Sequence, residues 1–108
     1  MKKFIILFML VSGCCWGQIK VIQFNAEWNK ANDVAWVHKL KEVKTISYTD
    51  VAKNVSAQKK YKIASVPTII IFKDGEEVAR FQADLSFTLV ATKEEVQEEI
   101  NNQLMSDF

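Results

Sequence analysis

From Gln18 to Phe108 the chain has no cysteine; its only two, Cys14 and Cys15, sit side by side at the end of an apolar leader. A folded portion that starts at Gln18 therefore has no sulfur nucleophile, no disulfide and no thiolate metal ligand, and its stability rests on its core alone. His38 is the single histidine. With no cysteine or carboxylate at ligand spacing it reads as a surface or half-buried residue, and one histidine gives no basis for a Ser-His-acid set or a metal motif. Three glycines in 108 residues leave no phosphate-cradling loop, and the one proline, Pro67, is a local mark rather than part of a linker. Charge of one sign is also missing. Without Lys2 and Lys3 there are 12 basic residues against 13 acidic, net charge −1, interspersed with no basic stripe, which excludes a nucleic-acid surface.

The long apolar run is confined to the start. Met1-Lys2-Lys3 leads into Phe4 to Val11, eight unbroken apolar residues, the form of an export signal and well short of the ~20 that span a bilayer. Two cleavage readings stay open. Cys15 and Gly17 are small residues flanking Trp16, which suits cleavage after Gly17 and a signal peptide of residues 1–17. Val11-Ser12-Gly13-Cys14 has the form of a lipobox, which would make residues 1–13 the signal and Cys14 the lipidation site. Both imply an exported protein, in a bacterial periplasm or secreted, with membrane attachment only through a lipid on Cys14.

The remainder reads as one α/β domain, 18–108. Ile19 to Phe24 is a nearly continuous apolar strand, as expected of one covered on both faces, with Gln23 the exception. A helix is expected from Asn29, an N-cap type, with Asp33 in its first turn and Val34, Val37 and Leu40 facing the sheet. Thr45 to Thr49 is a second strand, and Asp50 to Tyr61 a second helix, capped by Ser47 or Asp50, with Val51 and Val55 inward. Pro67 precedes the apolar run Thr68 to Phe72. Asp74-Gly75 marks a tight hairpin, and Glu77 to Phe81 is the returning strand. Leu85 to Val90 alternates apolar and polar and reads equally as an edge strand or a loop. Thr92-Lys93-Glu94-Glu95 is a capping box opening a last helix lined by Val96, Ile100 and Leu104.

Two stretches carry a resemblance. Phe24-Asn25-Ala26-Glu27-Trp28-Asn29-Lys30-Ala31-Asn32 resembles the active-site segment of the thioredoxin family, Phe-x-Ala-x-Trp-Cys-x-x-Cys, and Val66-Pro67-Thr68 resembles its Val-Pro-Thr element, in which the Val-Pro bond is cis. At the separation seen here, and followed by the Asp-Gly hairpin, the two together are specific. The resemblance covers Ile19 to Leu104. It implies a minimal thioredoxin fold, βαβαββα, with a mixed four-stranded sheet flanked by helices, and it places Val66, Pro67 and Thr68 beside Trp28, Asn29 and Asn32. Against the family pattern both cysteine positions are asparagine, Asn29 and Asn32, and the buried acid six residues before the first is Gln23. A redox-inactive member is implied, since thiolate is the attacking species in disulfide exchange and an amide cannot replace it.

The function expected is a non-catalytic module that binds a protein or peptide segment in the groove of Trp28, Asn29, Asn32, Val66, Pro67 and Thr68, without a cofactor. Its partner would be an extended or unfolded polypeptide or an envelope protein. Two alternatives stand beside it: an oxidoreductase-related activity that borrows a thiol from a partner, and a structural adaptor subunit.

Overall fold

The computed structural model describes residues 18–105. The leader, with Cys14 and both cleavage readings, lies outside the described residues. Four strands, β1 (Ile19–Asn25), β2 (Thr45–Asp50), β3 (Thr68–Lys73) and β4 (Glu76–Gln82), form one sheet in the order β2-β1-β3-β4. β1 runs parallel to β2 with Val21 opposite Ile46, and antiparallel to β3 with Val21 opposite Ile71. β4 closes the other edge antiparallel to β3. Two α-helices are present, α1 (Val55–Lys60) and α2 (Lys93–Met105). The mixed four-stranded α/β architecture is the one the sequence predicts.

The period of two along a strand divides the core into layers. Ile19 and Val21 of β1 with Ile69 and Ile71 of β3 point to one face, where Val34, Val37, Leu40, Val96 and Ile100 cover them. Ile22 and Phe24 with Ile70 and Phe72 point to the other, against Val51, Ile63 and Val66, with the Tyr61 ring packed alongside. Each such side chain contributes about 1.5–3 kcal/mol when fully buried, so β1 and β3, covered on both faces, are the thermodynamic centre. The positions beyond Phe24 inherit that rigidity, which is what makes the end of β1 a precise platform.

Turn chemistry fixes the ends. Asp74 and Gly75 both take positive φ, +53° and +89°, the pattern of a two-residue type I′ hairpin. Asp74 also staples the start of β1: its carboxylate accepts from the Gln18 N–H at 3.2 Å, and its own N–H donates to the Gln18 carbonyl at 3.0 Å. The α2 capping box forms as read, with the Glu95 N–H donating to Thr92 Oγ1 at 3.2 Å and the Thr92 N–H donating to Glu95 Oε1 at 2.8 Å.

Two helical expectations are corrected. α1 starts five residues later than predicted, because β2 stays paired through Asp50, opposite Asn25. Asp50 instead caps the turn that follows, accepting from the Ala52 and Lys53 N–H groups at 2.9 and 3.2 Å. Asn54, not Ser47 or Asp50, is the N-cap of α1, accepting from the Ala57 N–H at 3.0 Å. Val51 is buried as expected, but Val55, now the first residue of the helix, is half exposed. Leu85 to Val90 forms no strand: one isolated bridge, Ala83 to Leu89, holds a loop.

Candidate functional site

The single helix expected from Asn29 is two short 3₁₀ segments, Glu27–Asn32 and Ala35–Lys39, separated by extended backbone at Asp33 and Val34. Gln23 supplies the cause. Its amide is buried and takes both main-chain groups of Val34: the Val34 N–H donates to Gln23 Oε1 at 2.8 Å, and Gln23 Nε2 donates to the Val34 carbonyl at 3.4 Å. With its N–H spent on the Gln23 side chain, Val34 cannot donate to a carbonyl of the preceding turn, so the first segment ends before it. Its carbonyl, which also accepts from the Val37 N–H at 3.3 Å, opens the second. Asn29 is no N-cap either. Ala26 holds that position without a side-chain bond, and Asn29 lies inside the first segment at φ −116°, ψ 21° with its side chain turned inward.

That inward turn builds a polar network at the end of β1. Asn29 is only 6% exposed and Asn25 is fully buried. Asn29 Nδ2 donates to Asn25 Oδ1 at 3.1 Å, to the Phe87 carbonyl at 3.1 Å and, more weakly, to the Val66 carbonyl at 3.4 Å. Asn25 Nδ2 in turn donates to the Asn29 carbonyl at 3.2 Å and closely to the Asp33 carboxylate. Asn32 Nδ2 donates to Asn29 Oδ1 at 2.8 Å. Three amides thus satisfy one another where the fold leaves room for only a few polar atoms.

Beside the network, sharing Val66 and Phe87 with it, lies a cleft of about 190 Å³ lined by Trp28, Val51, Ile63, Val66 and Phe87 together with the polar Gln58 and Ser65. Trp28 is 64% exposed, and the Phe87 ring meets it edge to face, centroids 5.3 Å apart and planes at 88°. Of the six predicted site residues, the structure joins Trp28, Asn29, Asn32 and Val66. The other two lie behind them. Pro67, after a cis peptide bond from Val66, is fully buried, and so is Thr68, whose hydroxyl donates to the Ser65 carbonyl at 2.7 Å. They shape the wall of the cleft without lining it.

Asn25 and Phe87 are the site residues sequence reasoning missed. Asn25 carried a signal: a polar residue at an otherwise apolar strand end must find partners when buried. Phe87 carried none, since 58 residues separate it from Asn29.

A second, charged cleft of about 450 Å³ opens on the other side of Asp33, lined by Glu27, Lys30, Asp33, His38, Tyr48, Asp50 and Lys53. Glu27 and Lys53 form an exposed ion pair at 3.1 Å, and the Tyr48 hydroxyl donates to Asp33 at 3.3 Å. Partial burial first, then the negative charge and hydrogen bond of Asp33, push the Tyr48 hydroxyl up to about 12. A folded pKa raised above its unfolded value gives stability that is complete below about pH 10 and is lost as pH rises toward 12. Because the ring is nearly half exposed, solvent screening holds the contribution to about 1 kcal/mol. Alkaline unfolding of Tyr48→Phe should therefore lack that loss, as read by urea midpoints at pH 9 and 11.5. Equal losses in both proteins would place the alkaline sensitivity elsewhere.

Among the described residues no group of three or more His, Cys, Asp or Glu side chains is placed to hold a metal ion, and no helix is long and apolar enough to cross a membrane.

No protein-family model matches the chain. A thioredoxin of Chlamydia pneumoniae is 44% identical over 36 residues, 33% of this chain and 35% of that protein's length. Solved structures agree over far more of the chain. A point-mutant thioredoxin from Halobacterium salinarum matches with a TM-score of 0.66 at 18% identity, covering 96% of this chain and 88% of that one. Thioredoxin-2 of the malaria parasite, described as a component of its protein secretion machinery, gives 0.64 at 22% identity over 79% and 82% of the two chains. Fasciola hepatica thioredoxin gives 0.57 at 25% identity over 89% and 90%.

Proposed function

Since the chain has a thioredoxin-like fold, we propose that it is a non-catalytic module that holds an extended or unfolded polypeptide segment in the cleft between Trp28 and Val66. The observation that carries this reading is the state of Asn29. At the position the resemblance assigns to the first sulfur stands a buried amide, engaged with Asn25, Val66 and Phe87 and unable to form a mixed disulfide. What remains of the site is its binding half. Trp28 presents a large, rigid, exposed ring beside a cleft of mixed apolar and polar lining, and aromatic side chains in such settings make effective anchors because few torsions are lost on contact. The export signal read in residues 1–17 would put this module outside the cytoplasm, tethered if Cys14 carries a lipid, where its partners are extended or unfolded envelope polypeptides.

The test uses a carboxymethylated insulin B chain as an extended, thiol-free probe, titrated into the isotopically labelled domain. Backbone resonances of Trp28, Asn29 and Val66 should shift, with the same affinity in the presence and absence of dithiothreitol. Trp28→Ala should weaken binding about tenfold, as loss of a central aromatic anchor does. Shifts clustered on α2 instead would replace the groove reading with an adaptor surface.

A further inference from the structure

We propose that the Phe87 turn covers the Trp28–Asn29 end of this groove as a built-in first occupant, and that the segment displacing it is an extended polypeptide bearing an aromatic side chain. The inference rests on the groove reading above and specifies its ligand. Phe87 offers the cleft two groups at once, a ring against Trp28 and a main-chain carbonyl to Asn29 Nδ2. One residue of a bound peptide would present the same pair, an aromatic side chain and its own carbonyl, so Phe87 is a template for what it excludes.

Three features make the contact releasable. The first is the donor itself. A side-chain amide has two hydrogens, yet Asn29 Nδ2 has three acceptors in reach, Asn25 Oδ1 and the Phe87 and Val66 carbonyls. One hydrogen serves Asn25 and the other is shared, so losing Phe87 leaves Val66, or an incoming carbonyl, to receive it. No buried donor is stranded by opening.

The second is conformation. Phe87 has φ +62°, left-handed backbone that a bulky residue seldom adopts, so the turn that presents its ring and carbonyl is itself strained.

The third is how the turn is held. Asp84 accepts from the Ser86 N–H, the Ser86 hydroxyl and, more weakly, the Thr88 N–H, while the Asp84 N–H donates to the Thr88 carbonyl and the Phe87 N–H donates back to the Asp84 carbonyl. These bonds are internal, so residues 84–88 move as a unit. Its base is the Ala83–Leu89 bridge, with Leu89 against the core. Leu85 is 99% exposed and Val90 is 67% exposed, so little apolar burial resists displacement.

A cleft occupied by its own chain binds a probe with an affinity reduced by the fraction of time it is open. Capped Ala-Phe-Ala and Ala-Ala-Ala tripeptides, titrated into the labelled domain and followed at the Trp28 indole and Asn29 side-chain amide, read that fraction. Phe87→Ala should bind the Phe-containing tripeptide on the order of five- to tenfold more tightly than the unaltered protein, and the alanine tripeptide should stay the weaker ligand in both. Phe87→Gly, which also removes the backbone strain, should tighten binding in the same direction. If both variants bind the Phe tripeptide equally well or less well than the unaltered protein, Phe87 is a wall of the cleft, and the self-occupancy proposal falls while the groove stands. If no protein shifts at Trp28 or Asn29 with any probe, the groove reading falls and takes the proposal with it.

Discussion

Asn25→Ala should lower folding stability by about 3 kcal/mol, a large share of what a domain of this size has to lose. The side chain is fully buried and occupies the centre of the network. Its removal strips the Asn29 carbonyl of a donor, removes a charge-assisted bond from Asp33 and takes the Asn25 oxygen away from Asn29 Nδ2. Asn29 keeps the Val66 and Phe87 carbonyls, so its share of the loss is the smallest. The larger share comes from the bonds to the Asp33 carboxylate and the Asn29 carbonyl lost together, since a hydrogen bond to a charged group contributes about 1.5–3 kcal/mol and a neutral one about 1 kcal/mol. In urea the midpoint should fall by about 2 M with an unchanged slope. Asn25→Asp should not rescue it, because a carboxylate donates nothing to the Asn29 carbonyl and would face the negative Asp33. A loss below about 1 kcal/mol for Asn25→Ala would mean that the amides are not the structural unit at the end of β1.

The same residues show where the sequence is readable and where it is not. Strands β1 to β4 announce themselves by local composition, the near-continuous apolar runs of β1 and β3 marking strands covered on both faces and the mixed runs of β2 and β4 marking the edges. Asp74-Gly75 and Thr92 to Glu95 are equally local, the first a pair that takes the positive φ of a tight turn and the second a reciprocal cap closed within four residues. The segment after Trp28 fails the same reading. Val34, Val37 and Leu40 do pack on the sheet as a helical face would, yet the backbone carrying them is broken by an amide from the preceding strand. Periodicity reports which residues are inward and is silent on which hydrogen bonds carry them there. Phe87 is the extreme case. Nothing within ten residues of it hints at Trp28, and only the return of β4 beside β3 brings the loop to the site. A groove built from β1, the loop before β3 and the loop after β4 is legible in its first two parts and closed by the third.

Gln23→Glu offers the sharpest test of the broken helix, because its effect should appear only as pH rises. As glutamine, position 23 both accepts from the Val34 N–H and donates to the Val34 carbonyl. A protonated glutamic acid can do the same, one oxygen accepting and its hydroxyl donating. An ionised one cannot: it would be a buried charge with an oxygen set against a carbonyl. Burial and that contact both favour the neutral form, so the variant's folded carboxyl should titrate well above its unfolded value near 4.3. Stability should then match the unaltered protein below about pH 4 and decline as pH rises through the raised folded pKa. A shift of two units sets the loss near neutral pH at about 2.7 kcal/mol, and the site's near-complete burial leaves little solvent to screen it. Gln23→Ala should lose about 1–3 kcal/mol at every pH, since it strands the Val34 N–H regardless of protonation while the Val34 carbonyl keeps the Val37 N–H. Urea midpoints for the three proteins at pH 4, 6 and 8 separate these outcomes. A glutamate variant whose deficit is constant across that range would mean that Val34 is held by packing alone, and that the break between the two 3₁₀ segments belongs to their own sequence instead of to Gln23.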